Sequence, residues 1–323
     1  MEIKRTNIRA WSMLGQRGAV FGSLMPELAK ADPRIKLLTA DLSLLSGMER
    51  YIKECPDQFL NVGIAEQNMV GISAGLAMEG YKVFATTYAS FIAVRSLEHV
   101  RQHLGHLKCD VKLIASSGGV VASKSGISHW ATEDIAFIRA IPGIEVYSPA
   151  DALEAVKVVE YVSKTSAPAY IRLSGAMNCP IVYSEDFEWT PAKNRIIREG
   201  GDVAVLATGM MVSESLKAAD ILSEKGINAE VTDVSSIAPM DEEYLKDVCG
   251  RVPLLVTVEE HGIRGGLGGA VAEIISGYEG SPRLVRLGIT DYMDRLGSYD
   301  YVLEQQGLKA DGIASDIEAA VRG

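Results

Sequence analysis

The sequence predicts an α/β fold built from two domains whose sheets are mainly parallel. Short runs rich in Val, Ile and Tyr alternate with helix-length segments along most of the chain, a pattern typical of βαβ units. The length of 323 residues suits two domains of ordinary size. The alternation is interrupted at Asn178–Gly201, where two prolines, mixed charge and a closing Gly-Gly indicate a linker.

The first domain is predicted to span residues 1–180. Its candidate strands are short and β-branched, and most are followed by a segment long enough for a helix. Ala150–Ser163 is predicted to be such a helix, because apolar residues recur at helical spacing and Asp151 is a suitable N-cap. The candidate strands are Ile35–Ala40, Phe59–Gly63, Tyr81–Thr87, Val111–Ser116, Ile144–Pro149 and Ala169–Ser174.

A linker over residues 181–200 and a smaller α/β domain over residues 201–323 are predicted to follow. The alternation of apolar runs and amphipathic segments resumes there, so a second, mainly parallel sheet is expected. The candidate strands are 202–209, 229–236, 253–260 and 283–289, and the candidate helices are Ser213–Lys225, Asp241–Cys249 and Gly269–Tyr278.

The composition narrows the classes of function. A formal charge of −10 without any basic block argues against nucleic acid as a partner. No apolar run reaches the roughly 18–20 residues that span a bilayer, and the N-terminus lacks the apolar core of a secretory signal. The four cysteines have no CxxC or metal-ligand spacing, which favours reduced thiols in a cytoplasmic protein.

The segment Phe59–Arg101 carries the most chemical information. After a predicted strand, Glu66 falls in the first turn of a predicted helix, where the helix dipole and free N–H groups favour a carboxylate. Tyr88 and Phe91 lie near the carboxyl end of the next predicted strand. In open parallel sheets ligands bind at that end, so an acid and two aromatic rings are expected to face one crevice.

Purely structural interpretations of these residues stay open on the sequence pattern alone. Glu66 is equally a solvated acid at a helix start, and the two aromatic residues are equally core residues. The glycine run Arg264–Gly269 resembles a dinucleotide loop, but it also suits a tight turn before a closely packed helix. Pattern alone does not choose between these alternatives.

Several ordered motifs resemble those of the transketolase family over nearly the whole chain. The resemblance covers the pyrimidine-binding domain and the C-terminal domain of that family. It implies a thiamine-diphosphate-binding fold of the pyrimidine type, followed by a transketolase C-terminal-like domain. The motifs are TADLS (Thr39–Ser43), NVGIAEQNMVGISAGLA (Asn61–Ala77), the pair Tyr88 and Phe91, GISHWATEDIAFIRAIPGIEVYSPAD (Gly126–Asp151), AYIRL (Ala169–Leu173) and VEEHGIRGGLGGAVAE (Val258–Glu273).

The resemblance implies a set of residues that bind and activate the cofactor. Glu66 matches the acid that hydrogen-bonds N1′ of the aminopyrimidine and so helps its 4′-amino group to remove a proton from the thiazolium ring. Tyr88 and Phe91 match the aromatic residues that enclose the aminopyrimidine, whereas Val94 stands where many transketolases carry a third. Asp41 matches a family acid near the cofactor at the subunit interface, although a structural role at the strand end is equally open.

The resemblance also implies residues that bind the substrate. His129 matches the histidine that faces the donor and acceptor sugars, where a neutral imidazole can polarise a hydroxyl or move its proton. Arg172 and Arg9 match arginines that bind the terminal phosphate of sugar phosphates, an oxyanion that a guanidinium can bind in bidentate fashion.

Two positions depart from the family pattern on the substrate side. Ser117 stands where related transketolases carry a histidine, and Ser125 stands where they carry an aspartate. Both of those groups recognise sugar hydroxyls, and Lys124 adds a cation nearby. The sequence therefore predicts conserved cofactor chemistry with an altered substrate, in which the anionic group of the sugar differs.

A second chain is expected to complete the active site. The family holds Mg²⁺ and the cofactor diphosphate through a G-D-G sequence followed by an asparagine, and this sequence contains no G-D-G. We expect a partner subunit with the G-D-G…Asn motif to supply the metal site, and an α₂β₂ heterotetramer to be the assembly.

The expected function is transfer of a two-carbon ketol unit from a ketose to an aldose. One alternative is the β subunit of a 2-oxoacid dehydrogenase E1 component or an enzyme that resembles deoxyxylulose-phosphate synthase, although the GISHWATED and YIRL segments look closer to transketolase. Another is a non-catalytic regulatory subunit. The presence of Glu66, Tyr88, Phe91 and His129 together argues against that role.

Overall fold

The computed structural model describes residues 3–293 and 295–323, and these residues form two sheets. One sheet has seven strands and the other has five. The strands are β1 (Ile35–Thr39), β2 (Phe59–Asn61), β3 (Lys82–Tyr88), β4 (Val111–Ser116), β5 (Glu145–Tyr147), β6 (Ala169–Arg172), β7 (Arg195–Arg198), β8 (Val203–Ala207), β9 (Ala229–Asp233), β10 (Ser236–Ala238), β11 (Leu254–Gly262) and β12 (Arg283–Ile289).

Helices fill most of the connections between these strands. Three further turns, at residues 18–24, 91–95 and 101–106, are π-helical. Within the described ranges no helix has the length and apolar content to cross a membrane. The α-helices are α1 (Arg5–Arg17), α2 (Met25–Ala31), α3 (Glu49–Glu54), α4 (Glu66–Met78), α5 (Leu97–Val100), α6 (Asp134–Arg139), α7 (Ala152–Val162), α8 (Met211–Glu224), α9 (Glu242–Arg251), α10 (Leu267–Ile275), α11 (Tyr299–Gln305) and α12 (Ala310–Arg322).

The first sheet brings the ends of β1, β3 and β4 to one edge. Its strand order is β10-β5-β6-β4-β3-β1-β2, and every pairing except that of β10 with β5 is parallel. Tyr88 at the end of β3 pairs with Ser116 at the end of β4. Because parallel strands all point the same way, Asp41, Tyr88 and Ser117 leave the sheet at the same carboxyl edge.

Burial explains why these sequences form parallel strands. Every residue of β4, β6, β8 and β9 is buried, so helices or loops cover both faces of the sheets at those strands. The sequences of strands that are buried on both faces are nearly continuous apolar runs, without the alternation of apolar and polar residues. The predicted α/β fold with mainly parallel sheets is confirmed.

The sheets show two features that the sequence did not predict, and both involve short edge strands. The order of the second sheet is β12-β11-β8-β9-β7, and β7, which lies inside the predicted linker, pairs antiparallel with β9. The run predicted as one strand at 229–236 instead ends at Asp233, and β10 crosses to pair with β5 of the first sheet. Short strands at sheet edges have weak sequence signals, because most of their stabilisation comes from the neighbouring strand. The boundaries at residues 180 and 200 stay a prediction.

Carboxylates fix the starts of two predicted helices. Asp151 caps α7 as expected, since its side chain accepts a hydrogen bond of 2.9 Å from the N–H of Glu154. Helix α10 begins at Leu267, two residues before the predicted start, because the Glu259 carboxylate accepts the N–H groups of Leu267 and Gly268 at 2.7 and 2.8 Å. A dinucleotide phosphate would need these same N–H groups, so their bonds to Glu259 argue against a dinucleotide at this glycine run.

A buried pair of carboxyl groups joins the two sheets through the segment between them. Glu154 lies on α7 and Asp233 ends β9. The Tyr183 hydroxyl donates to Asp233 at 2.5 Å, and the Trp189 indole N–H donates to Glu154 at 3.1 Å. Burial raises the pKa of Glu154 to about 7. Burial, reinforced by the charge of Glu154, raises the pKa of Asp233 well above its usual range.

The carboxyl pair predicts a stability that falls as the pH rises. Because both folded-state pKa values are raised, the folded chain retains protons that the unfolded chain releases above about pH 4. The free energy of unfolding from urea titrations should therefore fall between pH 5 and pH 8. Asp233→Asn removes one titrating group and should reduce that fall by about 1–3 kcal/mol.

Asp220→Asn is the matched control, because Asp220 is an exposed carboxylate on α8. It should leave the pH dependence of unfolding as it is in the unsubstituted protein. Equal pH dependence in Asp233→Asn and in the unsubstituted protein would show that the buried pair does not retain a proton.

Candidate active site

Asp41 lies at the carboxyl edge of the first sheet, just after β1. Its backbone has a positive φ of 60°, a conformation that costs energy for a residue other than glycine. Asn61, which ends β2, stabilises the turn. Its amide oxygen accepts the N–H of Asp41 at 3.0 Å, and its amide nitrogen donates to the Asp41 carboxylate at 2.9 Å. The Asp41 side chain is otherwise exposed, so its predicted role beside the cofactor stays a prediction.

Glu66 is a buried carboxylate with a cationic partner. It is the first residue of α4, and its side chain is only 3% exposed. The guanidinium of Arg95 lies 2.9 Å from one carboxylate oxygen of Glu66. The same guanidinium lies over the ring of Phe91, with its carbon 4.3 Å from the ring centroid. A planar cation thus contacts both the predicted acid and a predicted aromatic residue.

Tyr88, Phe91 and His129 form a cluster of three rings. The ring centroids of Phe91 and His129 are 5.3 Å apart, those of Tyr88 and Phe91 are 5.7 Å apart, and those of Tyr88 and His129 are 5.9 Å apart. These separations are typical of aromatic pairs in contact. Arg95 contacts both Phe91 and Glu66, so it joins the ring cluster to the predicted acid.

A cavity of about 580 Å³ opens beside the ring cluster. Its volume is in the range of small-molecule sites. It lies between the π-helical turn after β3 and the segment around His129. Its walls combine apolar residues with a few polar groups, and they include Ser90, Phe91, Val94, Arg95, Ile127, Ser128, Trp130, Glu133, Phe137 and Tyr292.

The imidazole of His129 is half-buried and held from one side. Its Nδ1 lies 3.0 Å from the hydroxyl of Ser128, and the hydroxyl of Ser90 donates to its backbone carbonyl at 3.4 Å. Among the residues that the structure describes, Nε2 has no hydrogen-bond partner. The ring can therefore exchange a proton with a ligand through Nε2 without losing its own support.

Arg172 is a correction to the sequence analysis. Its side chain is only 1% exposed, so it cannot reach the terminal phosphate of a substrate from this position. Its Nε donates to the Asp134 carboxylate at 2.8 Å, and one terminal nitrogen donates to the carbonyl groups of Ala131 and Glu260 at 3.0 and 2.9 Å. The sequence did not show this because the three partners are 38 or more residues away.

The remaining predicted residues are separate from the ring cluster or only indirectly connected to it. Arg9 lies exposed on α1, and no contact in the described part of the chain joins it to the cluster. Ser117 follows β4 with a positive φ of 56° and is 3% exposed. Ser125 and Lys124 are exposed in the segment before His129. The roles of Arg9, Ser117 and Ser125 in substrate binding stay predictions.

Two arginines that lie near the predicted residues were not identified from the sequence. Arg95 follows Phe91 by four residues, a helical spacing that places the two side chains together, and this spacing could have identified it. Arg17 lines a second crevice of about 340 Å³ with Ser46 and Gly175. Burial lowers the pKa of Arg17, and the charge of nearby Tyr88 opposes that shift. No sequence pattern points to Arg17.

Family models match most of the chain. A model described as the transketolase pyrimidine binding domain matches residues 16–178. A second, described as the transketolase C-terminal domain, matches residues 192–313.

The relatives include transketolase subunits named for two different sugars. The 6-deoxy-6-sulfo-D-fructose transketolase subunit of a Clostridium species is 37% identical over 89% of this chain and 88% of its own length. An apulose-4-phosphate transketolase subunit of Phocaeicola vulgatus is 36% identical over 91% of this chain and 93% of its own. Both relatives are thus chains of similar extent.

A solved structure of similar extent has the same fold. It is described as a split-gene transketolase in an inactive β4 tetramer, and it is 36% identical to this chain. The two structures superpose with a TM-score of 0.86, over 96% of this chain and 98% of the other.

The Glu66–Arg95 contact predicts a stability effect that can be measured on the chain alone. Arg95→Ala leaves the buried Glu66 carboxylate without its partner, which should lower the free energy of unfolding by about 1–3 kcal/mol. Urea unfolding followed by circular dichroism measures this value.

Arg101→Ala is the control, because Arg101 pairs with Glu98 where both side chains are more than half exposed. Its effect should stay below about 0.5 kcal/mol. Equal effects of the two substitutions would mean that the Glu66–Arg95 pair does not contribute more than a surface pair.

Proposed function

This chain belongs to the transketolase family, and from that premise we propose that it is the pyrimidine-binding subunit of a split, thiamine-diphosphate-dependent transketolase. With its partner it transfers a two-carbon ketol unit from a ketose to an aldose. The observation that carries the proposal is the contact of buried Glu66, through Arg95, with the rings of Phe91, Tyr88 and His129.

The chemistry of this cluster suits an aminopyrimidine. The Arg95 guanidinium is a flat group that hydrogen-bonds to the Glu66 carboxylate and stacks on Phe91. An aminopyrimidine is also flat, and it can bind a carboxyl group and an aromatic face in the same way. Because Arg95 is 48% exposed, its side chain can move into solvent when a ligand takes its place. When bound, thiamine diphosphate would supply the nucleophilic carbon that attacks the donor sugar.

Each residue of the cluster has a separate task in this proposal. Glu66 holds a proton at N1′ of the pyrimidine, in a buried position where solvent does not compete for it. Phe91 and Tyr88 orient the ring and exclude water from its faces. His129 binds a substrate hydroxyl through Nε2 and accepts or returns its proton. Asp41, at the same sheet edge, lies near the cofactor at the interface with the partner subunit.

The partner subunit supplies the second half of the active site in this proposal. It carries the G-D-G…Asn motif and holds Mg²⁺ with the cofactor diphosphate, in an α₂β₂ assembly in the cytoplasm. In the described residues no group of three His, Cys, Asp or Glu side chains is arranged to hold a metal ion. Two supporting observations are that the closely related chains are named as subunits, and that the structure of one such chain is described as an inactive tetramer.

We propose that the substrate is a sugar with an atypical anionic group. The named relatives act on a sulfonated and a phosphorylated sugar. Ser117 and Ser125 replace the residues that usually read sugar hydroxyls, and Lys124 offers an exposed charge for a sulfonate or a phosphate. Arg9, which is exposed at the start of the chain, is the second candidate for that anionic group.

The central test is the activity of a reconstituted complex and its loss on Glu66→Ala. The chain is co-expressed with a chain from the same genome that carries the G-D-G…Asn motif, and ketol transfer is assayed with thiamine diphosphate, Mg²⁺ and a panel of sugars and pyruvate. Loss of the Glu66 carboxylate should lower kcat by about 10²–10⁴-fold. Glu79→Ala, at the exposed end of the same helix, should have no effect.

Three outcomes would contradict the proposal. Full activity of Glu66→Ala would remove that residue from cofactor activation. Ketol transfer by this chain without a partner would disprove the split site. A reaction with pyruvate and an aldehyde but with no ketose donor would assign the complex to the deoxyxylulose-phosphate synthase class.

Ser125→Asp tests whether the departures from the family pattern set the substrate. An aspartate at this exposed position restores a hydroxyl-binding carboxylate and repels an anionic tail. The ratio of kcat/KM for an ordinary ketose phosphate to that for the preferred sugar should change by about tenfold or more. Ser276→Asp, at the end of α10, is the control. An unchanged ratio in Ser125→Asp would exclude position 125 from recognition.

A further inference from the structure

The segment that carries Ser125 and His129 is a loop that is closed at its base. Gly119 and Ala131 exchange two backbone hydrogen bonds, with N···O distances of 3.0 and 2.8 Å. Both predicted substrate residues on this loop therefore depend on the geometry of one pair of residues at its base.

A carboxylate from the second sheet binds this base. Glu260 lies on β11 and is 1% exposed. One of its carboxylate oxygens accepts the N–H of Val120 at 2.7 Å. The other accepts the hydroxyl of Tyr299, on α11, at 2.6 Å. The chain after residue 200 thus reaches into the domain that carries the ring cluster.

Glu260 and Arg172 pack so closely against the base of the loop that Gly119 and Gly118 have no room for a side chain. Gly119 has a positive φ of 71°, and a Cβ at this position would lie 2.2 Å from a carboxylate oxygen of Glu260. A Cβ at Gly118 would lie 2.7 Å from Cγ of Arg172. Both glycines are therefore required by the close approach of these two side chains.

Arg172 holds the other side of the loop base, and its positive charge acts on the Glu260 carboxyl group. It donates to the carbonyl of Ala131 and to the backbone carbonyl of Glu260. Burial raises the pKa of Glu260 to about 7, and the charge of Arg172 opposes that shift. The two sides of the loop base are thus held by one buried carboxyl group and one buried guanidinium group.

We infer that Glu260 is a positioning residue for the substrate, which acts through the loop that it holds at Val120. This inference rests on the proposed function of His129 and Ser125. A loop fixed at its base by side chains from two domains keeps His129 beside Phe91 and Tyr88, and small displacements of such groups are costly for catalysis. The C-terminal domain would thereby influence substrate binding without contacting the substrate.

Kinetics of the reconstituted complex separate positioning from simple stabilisation. Glu260→Ala should raise KM for the preferred sugar at least about tenfold, whereas the dissociation constant of thiamine diphosphate should change less than about twofold. Glu260→Gln should restore most of the sugar affinity, because its amide oxygen can still accept the N–H of Val120 and its NH₂ group can donate to Tyr299. Tyr299→Phe should raise KM by a smaller factor.

Glu259→Gln is the matched control. Glu259 is the buried neighbour of Glu260, but both of its oxygens accept N–H groups at the start of α10. The amide should lower the melting temperature of the complex without changing KM for the sugar. All kinetics are measured well below the melting temperature of the least stable variant.

Hydrogen exchange on the isolated chain gives a readout that does not depend on activity. Glu260→Ala should increase exchange of the amides in residues 120–131, and the amides of residues 82–91 should keep their protection. Should Glu260→Ala fail to fold, Tyr299→Phe is measured in the same two ways.

Two results would overturn the inference. One is a KM for the sugar in Glu260→Ala, or in Tyr299→Phe if only that variant folds, that equals the KM of the Glu259→Gln complex. The other is an equal loss of cofactor and sugar affinity, which would mean that Glu260 supports the domain as a whole. A complex of unsubstituted chains that transfers no ketol unit contradicts the proposed function instead, and the exchange experiment still tests the loop.

Discussion

The buried ion pair between Arg172 and Asp134 is the centre of the network that holds the base of the His129 loop and joins the two sheets there. The two side chains are each 1% exposed and lie 2.8 Å apart. The Tyr170 hydroxyl also donates to Asp134 at 2.7 Å. Removing one partner of such a pair leaves a buried charge, at a cost of about 3–5 kcal/mol. The hydrogen bonds of Arg172 to Ala131 and Glu260 extend the pair into a network that spans both sheets.

A second network also joins the two sheets, but it compensates its buried carboxyl groups in a different way. At the Arg172 junction a cation offsets the buried carboxylates. At the junction of Glu154 and Asp233 a retained proton lowers the charge, and Tyr183 and Trp189 hydrogen-bond to the carboxyl groups. A buried carboxyl group needs either a cationic partner or a retained proton, because an unpaired charge inside a protein is costly. The C-terminal domain is therefore tied to the first sheet at two chemically distinct points.

The buried carboxylate of Glu66 also has a cationic partner, but this partner is placed where a ligand could replace it. Arg95 balances the buried carboxylate of Glu66, yet its side chain is 48% exposed and stacks on Phe91. A partner held this way can be replaced by a ligand, whereas Arg172 is enclosed on all sides. The difference in exposure between the two arginines distinguishes the proposed binding site from a structural network, although both arginines pair with buried acids.

The sequence by itself determined the α/β class and most strand positions, because these depend on local periodicity. Its motifs also predicted Glu66, Tyr88, Phe91 and His129, which the structure brings into one neighbourhood and whose roles stay a prediction. It assigned Arg172 to the substrate, and it identified neither Arg95 nor Glu260. It also read β7 as part of a linker and did not separate β10 from β9. Only the tertiary structure decided these points. A strand pairing, the burial of an arginine and the partner of a carboxylate depend on groups far away in the chain, and no local pattern records which of them meet.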